Sequence, residues 1–264
     1  MKKTKIIIPA LGILLLSTAA SVTGTVAWFS MNSDVTATSM TIQAIAESGI
    51  AIAAWKETNT EAPAEADFKN TAAANVASKA AMRPTFTADG LAWYHAKSTA
   101  VDNAKAISSE GYQDITGSED IYLLNKFDIK ATGEPADVWV KGITLKAGGT
   151  NDFDHCVRVL VVSGSTKLFF GPIGSEHTGT ESTVACDAGD LLSPLSITFV
   201  QPNTAESKII TNVTTTAQTV SVYLYFDGED AMCKSSKIYS FADTTFDIVF
   251  SSIDPAAATP TPAP

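Results

Sequence analysis

The sequence predicts an all-β fold, an antiparallel β-sandwich of jelly-roll-like type. Three observations carry the prediction. Short runs of apolar, β-branched and aromatic residues recur along the chain, often with period two. Clusters of Gly, Asn, Asp, Ser and Pro separate them at short intervals, the spacing of a sandwich or barrel and not of βαβ units. No long amphipathic helical pattern interrupts the series.

The strands follow in order. VTATSMTIQAI (35–45) alternates small and larger residues, and GIAIAAW (49–55) sets Ile50, Ile52 and Ala54 on one face. IYLLNKFDIKA begins at Ile121. DVWVKGITLKA (137–147) alternates Val138 and Val140 and then, past a glycine, Ile143 and Leu145. HCVRVLVVSG (155–164) is apolar on both faces at its end, as a strand covered on both sides must be. TKLFFG, LSITFV and SKIITNVT come next. TVSVYLYFDG (219–228) is the cleanest alternation, with Val220, Val222, Leu224 and Phe226 on one side, and TTFDIVFSSI ends the series with Phe246, Ile248 and Phe250. The expectation is roughly ten strands.

Two stretches break this rhythm. Residues 56–82 and 97–120 are rich in Ala and acids, and each can hold a short helix or lie as a loop over one end of the sandwich. Residues 255–264, PAAATPTPAP, read as an extended tail.

The beginning of the chain has a different character. Lys2, Lys3 and Lys5 precede an uncharged run from Ile6 to Ser33, ended by Asp34. Basic, apolar, then small is the order of an export signal, and the run is also long enough to span a bilayer, for which about 20 residues suffice. Thr25 and Ala27 are small at the third and first positions before Trp28, so a cut before Trp28 is expected; Thr18 and Ala20 offer a second site before Ser21. The domain plan is therefore an export signal over 1–27, one sandwich over 28–254 whose residues 28–45 are an N-terminal strand or a donor arm, and the tail. A retained leader serving as anchor is the alternative, and the only expected contact with a membrane.

The chain has 264 residues, 45% of them hydrophobic, enough for a core. Only 17% are charged, and the formal net charge is −10. With three of the 18 basic residues in the leader, 15 face 28 acidic groups from Trp28 onward. Such a surface repels phosphate backbones, so nucleic acid is not an expected partner. Cys156, Cys186 and Cys233 form no CxxC, and an odd count allows one disulfide or none.

GTVAWFS (24–30) followed by VTATSMTIQA resembles the N-terminus of the TasA/camelysin family of bacterial surface and biofilm-matrix proteins. Gly24, Thr25, Ala27 and Phe29 match the Gly-Thr-x-Ala stretch and the aromatic that follows it. VYLYFDGEDAMC (222–233), where a strand ends in an acidic Gly turn and a cysteine follows, is a second and weaker similarity. The resemblance implies cutting by a dedicated signal peptidase. It implies secretion to the surface or matrix of a Gram-positive bacterium, and assembly into fibres.

The assembly mechanism it implies is strand addition: the freed arm, with Trp28, Phe29, Met31, Val35 and Met40, pairs with an unpaired sheet margin of the next copy. The expected partners are therefore the protein itself and the peptidase. A fold-back of the same segment into its own sandwich is the other reading. Camelysin is a metalloprotease, yet this chain has no HExxH, and its three histidines, His95, His155 and His177, show no ligand spacing.

No GxSxG, P-loop or GxGxxG occurs either, so no enzyme is expected and no catalytic residue is named. Asp227, Glu229 and Asp230 form the one tight acidic cluster, a possible Ca²⁺ site lacking further ligands at loop spacing; a solvated turn is the simpler reading, and no other cofactor or metal is expected. Among the four tryptophans Trp93 is the candidate for exposed sugar stacking, and a surface carbohydrate- or protein-binding module (an adhesin) with its site in the two inserts is the alternative function, with a camelysin-like peptidase a lesser one.

Overall fold

The computed structural model describes residues 35–37, 41–74, 79–82, 85, 87, 89–96, 112–117, 121–146, 157–171, 183–186, 195–227 and 245–257. Among them run β1 (Val35–Ala37), β2 (Thr41–Glu47), β3 (Ile50–Ala54), β4 (Thr71–Ala73), β5 (Lys79–Met82), β6 (Tyr94–Ala96), β7 (Tyr112–Asp114), β8 (Leu123–Ala131), β9 (Ala136–Lys146), β10 (Val157–Ser163), β11 (Thr166–Phe170), β12 (Thr183–Cys186), β13 (Leu195–Thr198), β14 (Lys208–Val213), β15 (Gln218–Phe226) and β16 (Thr245–Ser251). The all-β expectation holds, with more strands than the roughly ten expected, because several are only three or four residues long and carry no readable alternation.

Two five-stranded sheets face each other. Sheet I has the order β11-β10-β15-β8-β3 and sheet II the order β14-β9-β16-β2-β4. Alternation decides what lies between them. Val220, Val222, Leu224 and Phe226 of β15 meet Phe246, Ile248 and Phe250 of β16 in one apolar cluster with Phe127, Ile129, Val138, Val140, Val159 and Val161. Past Val140 the phase of β9 changes, because Val249 pairs with Gly142 and Phe250 with Val140, a bulge that returns Ile143 to the core side.

In a jelly roll the first and last strands meet antiparallel. Here β8 is an additional strand between β3 and β9. One extra reversal makes β2 and β16 run the same way, in register from Thr41↔Thr245 to Glu47↔Ser251.

This register gives the sandwich two unlike poles. At one pole the strands are joined by tight turns: Ser48-Gly49 with φ of 57° and 82°, 132–135, Gly164-Ser165, and 214–217. These turns are tied together, since Thr132 N donates to Gly49 O at 2.9 Å and Ala131 N to Thr214 O at 2.8 Å. At the other pole lie the starts of β2 and β16, the ends of β9, β11 and β15, and both ends of the insertion between β4 and β8. We call these the turn pole and the loop pole.

Both flanks of the sandwich are crossed by chain. On one, Lys69 exchanges backbone bonds of 2.8 and 3.0 Å with Ile52 of β3, and Asn70 O accepts from Ala46 N of β2 at 2.8 Å. On the other, Val200 N donates to Phe169 O of β11 at 2.8 Å and Asn203 N to Val140 O of β9 at 2.9 Å. The remaining margin of sheet II, β14, is broken by two bulges, pairing Lys208 with Trp139, Ile210 with Val138 and Val213 with Ala136. Crossing segments and bulges are ways of hiding strand edges.

The insert over 56–82 holds no α-helix among its described residues. It has single 3-10 turns at Glu57–Asn59 and Glu65–Asp67, then β4 and β5. Glu57, Thr58 and Asn59 all have positive φ (45°, 55° and 70°). Each such non-glycine residue costs about 1–2 kcal/mol. The Asn59 side chain offsets part of this: its Nδ2 donates to Leu124 O and its Oδ1 accepts from Lys126 N, both at 2.8 Å, continuing the β3–β8 ladder where β3 has ended.

Candidate functional site

The sequence points first to the N-terminal segment. Thr25, Ala27, Trp28, Phe29, Met31 and Met40 lie outside the described residues. Val35 begins β1, which pairs antiparallel with β5 of its own chain, Val35 opposite Met82 and Ala37 opposite Lys79. This two-stranded pairing belongs to neither large sheet. Met82 itself is fully buried in the main core, so β5 plugs the loop pole of the sandwich. Residues 41–45 are different in kind: they are part of β2, an interior strand between β16 and β4. The expected arm thus divides at Thr41.

At this pole Asp227, the first residue of the acidic run, follows the end of β15. The expectation of a solvated turn is corrected at Asp227, which is 3% exposed, with Oδ2 3.3 Å from Arg158 Nε. Arg158 is also buried. It projects from the outer face of β10, opposite Tyr225 of β15, with its guanidinium 5.2 Å from the Phe199 ring. Gly171 (φ 154°) makes room for it, since a Cβ there would stand 2.4 Å from Arg158 Cδ. Sequence reasoning missed Arg158, whose only signal was a lone charge inside an apolar run. Glu229 and Asp230 lie outside the described residues. Among the described residues no cluster of three or more His, Cys, Asp or Glu could hold a metal ion. The Asp227 carboxylate already faces a guanidinium, a poor start for a Ca²⁺ ligand.

Between β5 and β8, Thr85, Gly90 and Trp93 lie against sheet I, the last two on its outer face. Thr85 N donates to Phe226 O at 2.9 Å, and Gly90 (φ 68°) lies so close to Leu160 that a Cβ would stand 2.5 Å from Leu160 Cδ2. Burial pushes the Asp89 carboxyl up. The N–H groups of Ala92 and Leu91, together with the charge of Lys167 and the Thr87 hydroxyl, more than offset this and hold it below its ordinary value. Trp93 is corrected from exposed to buried, at 3%. Its ring lies 4.7 Å from Tyr122, 5.1 Å from Tyr225 and 6.0 Å from Tyr223, forming a second, aromatic layer outside the sheet. Burial raises the hydroxyl pKa of both Tyr122 and Tyr223. A buried indole offers no face to a sugar.

His95 is in β6 and Cys186 in β12; His155, His177, Cys156 and Cys233 lie outside the described residues. Among the described residues no helix is long and apolar enough to cross a membrane. No protein-family model, no curated protein and no solved structure matches this chain.

Proposed function

We propose that this chain is a secreted structural protein, freed from its leader between Ala27 and Trp28, that assembles into cell-surface or matrix fibres by giving its N-terminal strand to a neighbouring copy. One observation carries the reading. Among the described residues upstream of Thr41, the three-residue β1 pairs with β5 outside both large sheets, while β2, which begins at Thr41, lies between β16 and β4.

A net hydrogen bond is worth about 1 kcal/mol, so so short a pairing is weakly held. The same bonds form when β1 lies on the β5 of another copy, so exchange loses no pairing energy. Because both flanks of the sandwich are crossed, the mechanism is exchange of an existing pair and not addition to an empty margin. The resemblance of residues 24–29 to the TasA/camelysin leader junction supports export and processing, and the acidic surface supports solubility outside the cell.

The test is to express the full chain with its leader in a Gram-positive host and image the secreted product by negative-stain microscopy. Filaments are expected, and deletion of residues 28–40 abolishes them while the β circular-dichroism signal persists. Equal filaments from the deletion variant, or none from the intact chain, refute the reading.

A further inference from the structure

Donor and acceptor lie at the same pole, and this limits what exchange can build. The donor strand is rooted at Thr41, which is level with Thr245 at the loop pole. The acceptor β5 is bounded at that same pole on both sides: Ala74 N donates to Ile42 O at 2.9 Å before it, and Thr85 N to Phe226 O at 2.9 Å after it. Three residues, 38–40, join β1 to β2. From Ala37 to Thr41 such a link reaches at most about 14 Å when fully extended. A copy that receives β1 must therefore bring its own loop pole within that reach of the donor's loop pole.

An open head-to-tail chain needs donor and acceptor on different sides of the molecule. Here a third copy would have to crowd its loop pole into the same space. Two copies face to face satisfy both arms at once, because each vacated β5 is as near to the partner's arm as the partner's β5 is to its own. The opposite ends stay free: Ser251 is level with Glu47, and Ser252 Oγ donates to Ser48 O, so the chain leaves β16 at the turn pole.

We propose that the exchange is reciprocal, with two copies meeting loop pole to loop pole, each laying its β1 on the other's β5 in a closed two-fold dimer whose C-terminal segments emerge at the two outward poles. This rests on the exchange reading above. The strand donation proposed above then joins copies within a dimer, and the dimer is the unit from which the fibre is built.

The test uses engineered disulfides across the β1–β5 register. The full chain is exported with Cys156→Ser, Cys186→Ser and Cys233→Ser, and carries either Val35→Cys with Met82→Cys or Ala37→Cys with Lys79→Cys. The second pair leaves Met82 in the core should its loss impair folding. The recovered protein is oxidised with oxidised glutathione and run on denaturing gels without reductant. Reciprocal exchange predicts covalent dimers and nothing larger. A ladder of trimers and higher species, or a trimer alone, overturns reciprocity while leaving exchange intact. Cross-linked monomers alone overturn exchange and this inference with it, as does failure of both pairs to cross-link.

Discussion

Arg158 and Asp227 form a buried ion pair, with Nε and Oδ2 3.3 Å apart and side chains 1% and 4% exposed. The pair ties the start of β10 to the end of β15 at the loop pole, next to the Thr85 contact that fixes the segment after β5. The acceptor strand is thus anchored by Met82 in the core, and the chain just after it by the Thr85 bond beside this ion pair.

Removing one member of a buried pair strands the other charge. Asp227→Ala is expected to lower stability by about 3–5 kcal/mol, and Arg158→Met combined with Asp227→Leu to recover much of that. Urea denaturation checks both. A loss below about 1 kcal/mol for Asp227→Ala means that the pair does not hold this pole.

Gly171 permits the Arg158 side chain to pass. Its φ of 154° is unfavourable for a side chain, and a Cβ would stand 2.4 Å from Arg158 Cδ and 3.3 Å from Val157 O. Gly171→Ala is expected to cost about 1–3 kcal/mol through overpacking and strain. The melting temperature should fall accordingly, and the loss should shrink in an Arg158→Ala background, which lacks the clashing Cδ.

The parts of this fold legible in the sequence are those encoded by local period. β15 and β16 alternate cleanly because one face of each meets the core, and the apolar run of β10 reflects cover on both faces. Even the phase change past Gly142 was visible, and a bulge is its cause. What stayed hidden depends on partners distant in sequence. Asp227 sat in a string that reads as a wet turn, and only Arg158, on another strand, makes it a buried anion.

Trp93 likewise lies in a short stretch with no readable period and is buried by tyrosines from β15 and from just before β8. The crossing segments at 69–74 and 199–203 are too short for an alternation to be read, and backbone hydrogen bonds tie them to the sheets. The division of the arm at Thr41 follows from pairing with β16, some two hundred residues away in sequence.

The β14 margin is kept irregular by Asp137. Its carboxylate is held below the ordinary range first by the Asn212 N–H at 2.8 Å and then by Lys208 at 3.0 Å, with burial acting in the opposite direction. A depressed carboxylate contributes stability above its unfolded pKa, and that contribution is lost as pH falls through the folded value. Asp137→Asn keeps an acceptor and removes the charge. It is expected to cost about 1 kcal/mol at neutral pH, with the difference from the parent chain vanishing in acid. Denaturant midpoints measured across that range check the sign; a difference that grows in acid contradicts it.

Trp93 is predicted to be structural. Trp93→Ala should cost about 3–5 kcal/mol, remove the near-ultraviolet aromatic signal of the outer layer, and return the raised Tyr122 and Tyr223 ionisations toward ordinary phenol values in a spectrophotometric titration. A stable Trp93→Ala variant with an unchanged tyrosine titration contradicts the packing described.

Native mass spectrometry of the secreted product tests the central claim most directly, because it reads the first residue and the number of copies together. The account predicts a chain beginning at Trp28, found with a second copy of itself and in larger species, and found alone once residues 28–40 are deleted. A chain still carrying Met1, or one that stays single at every concentration, contradicts it.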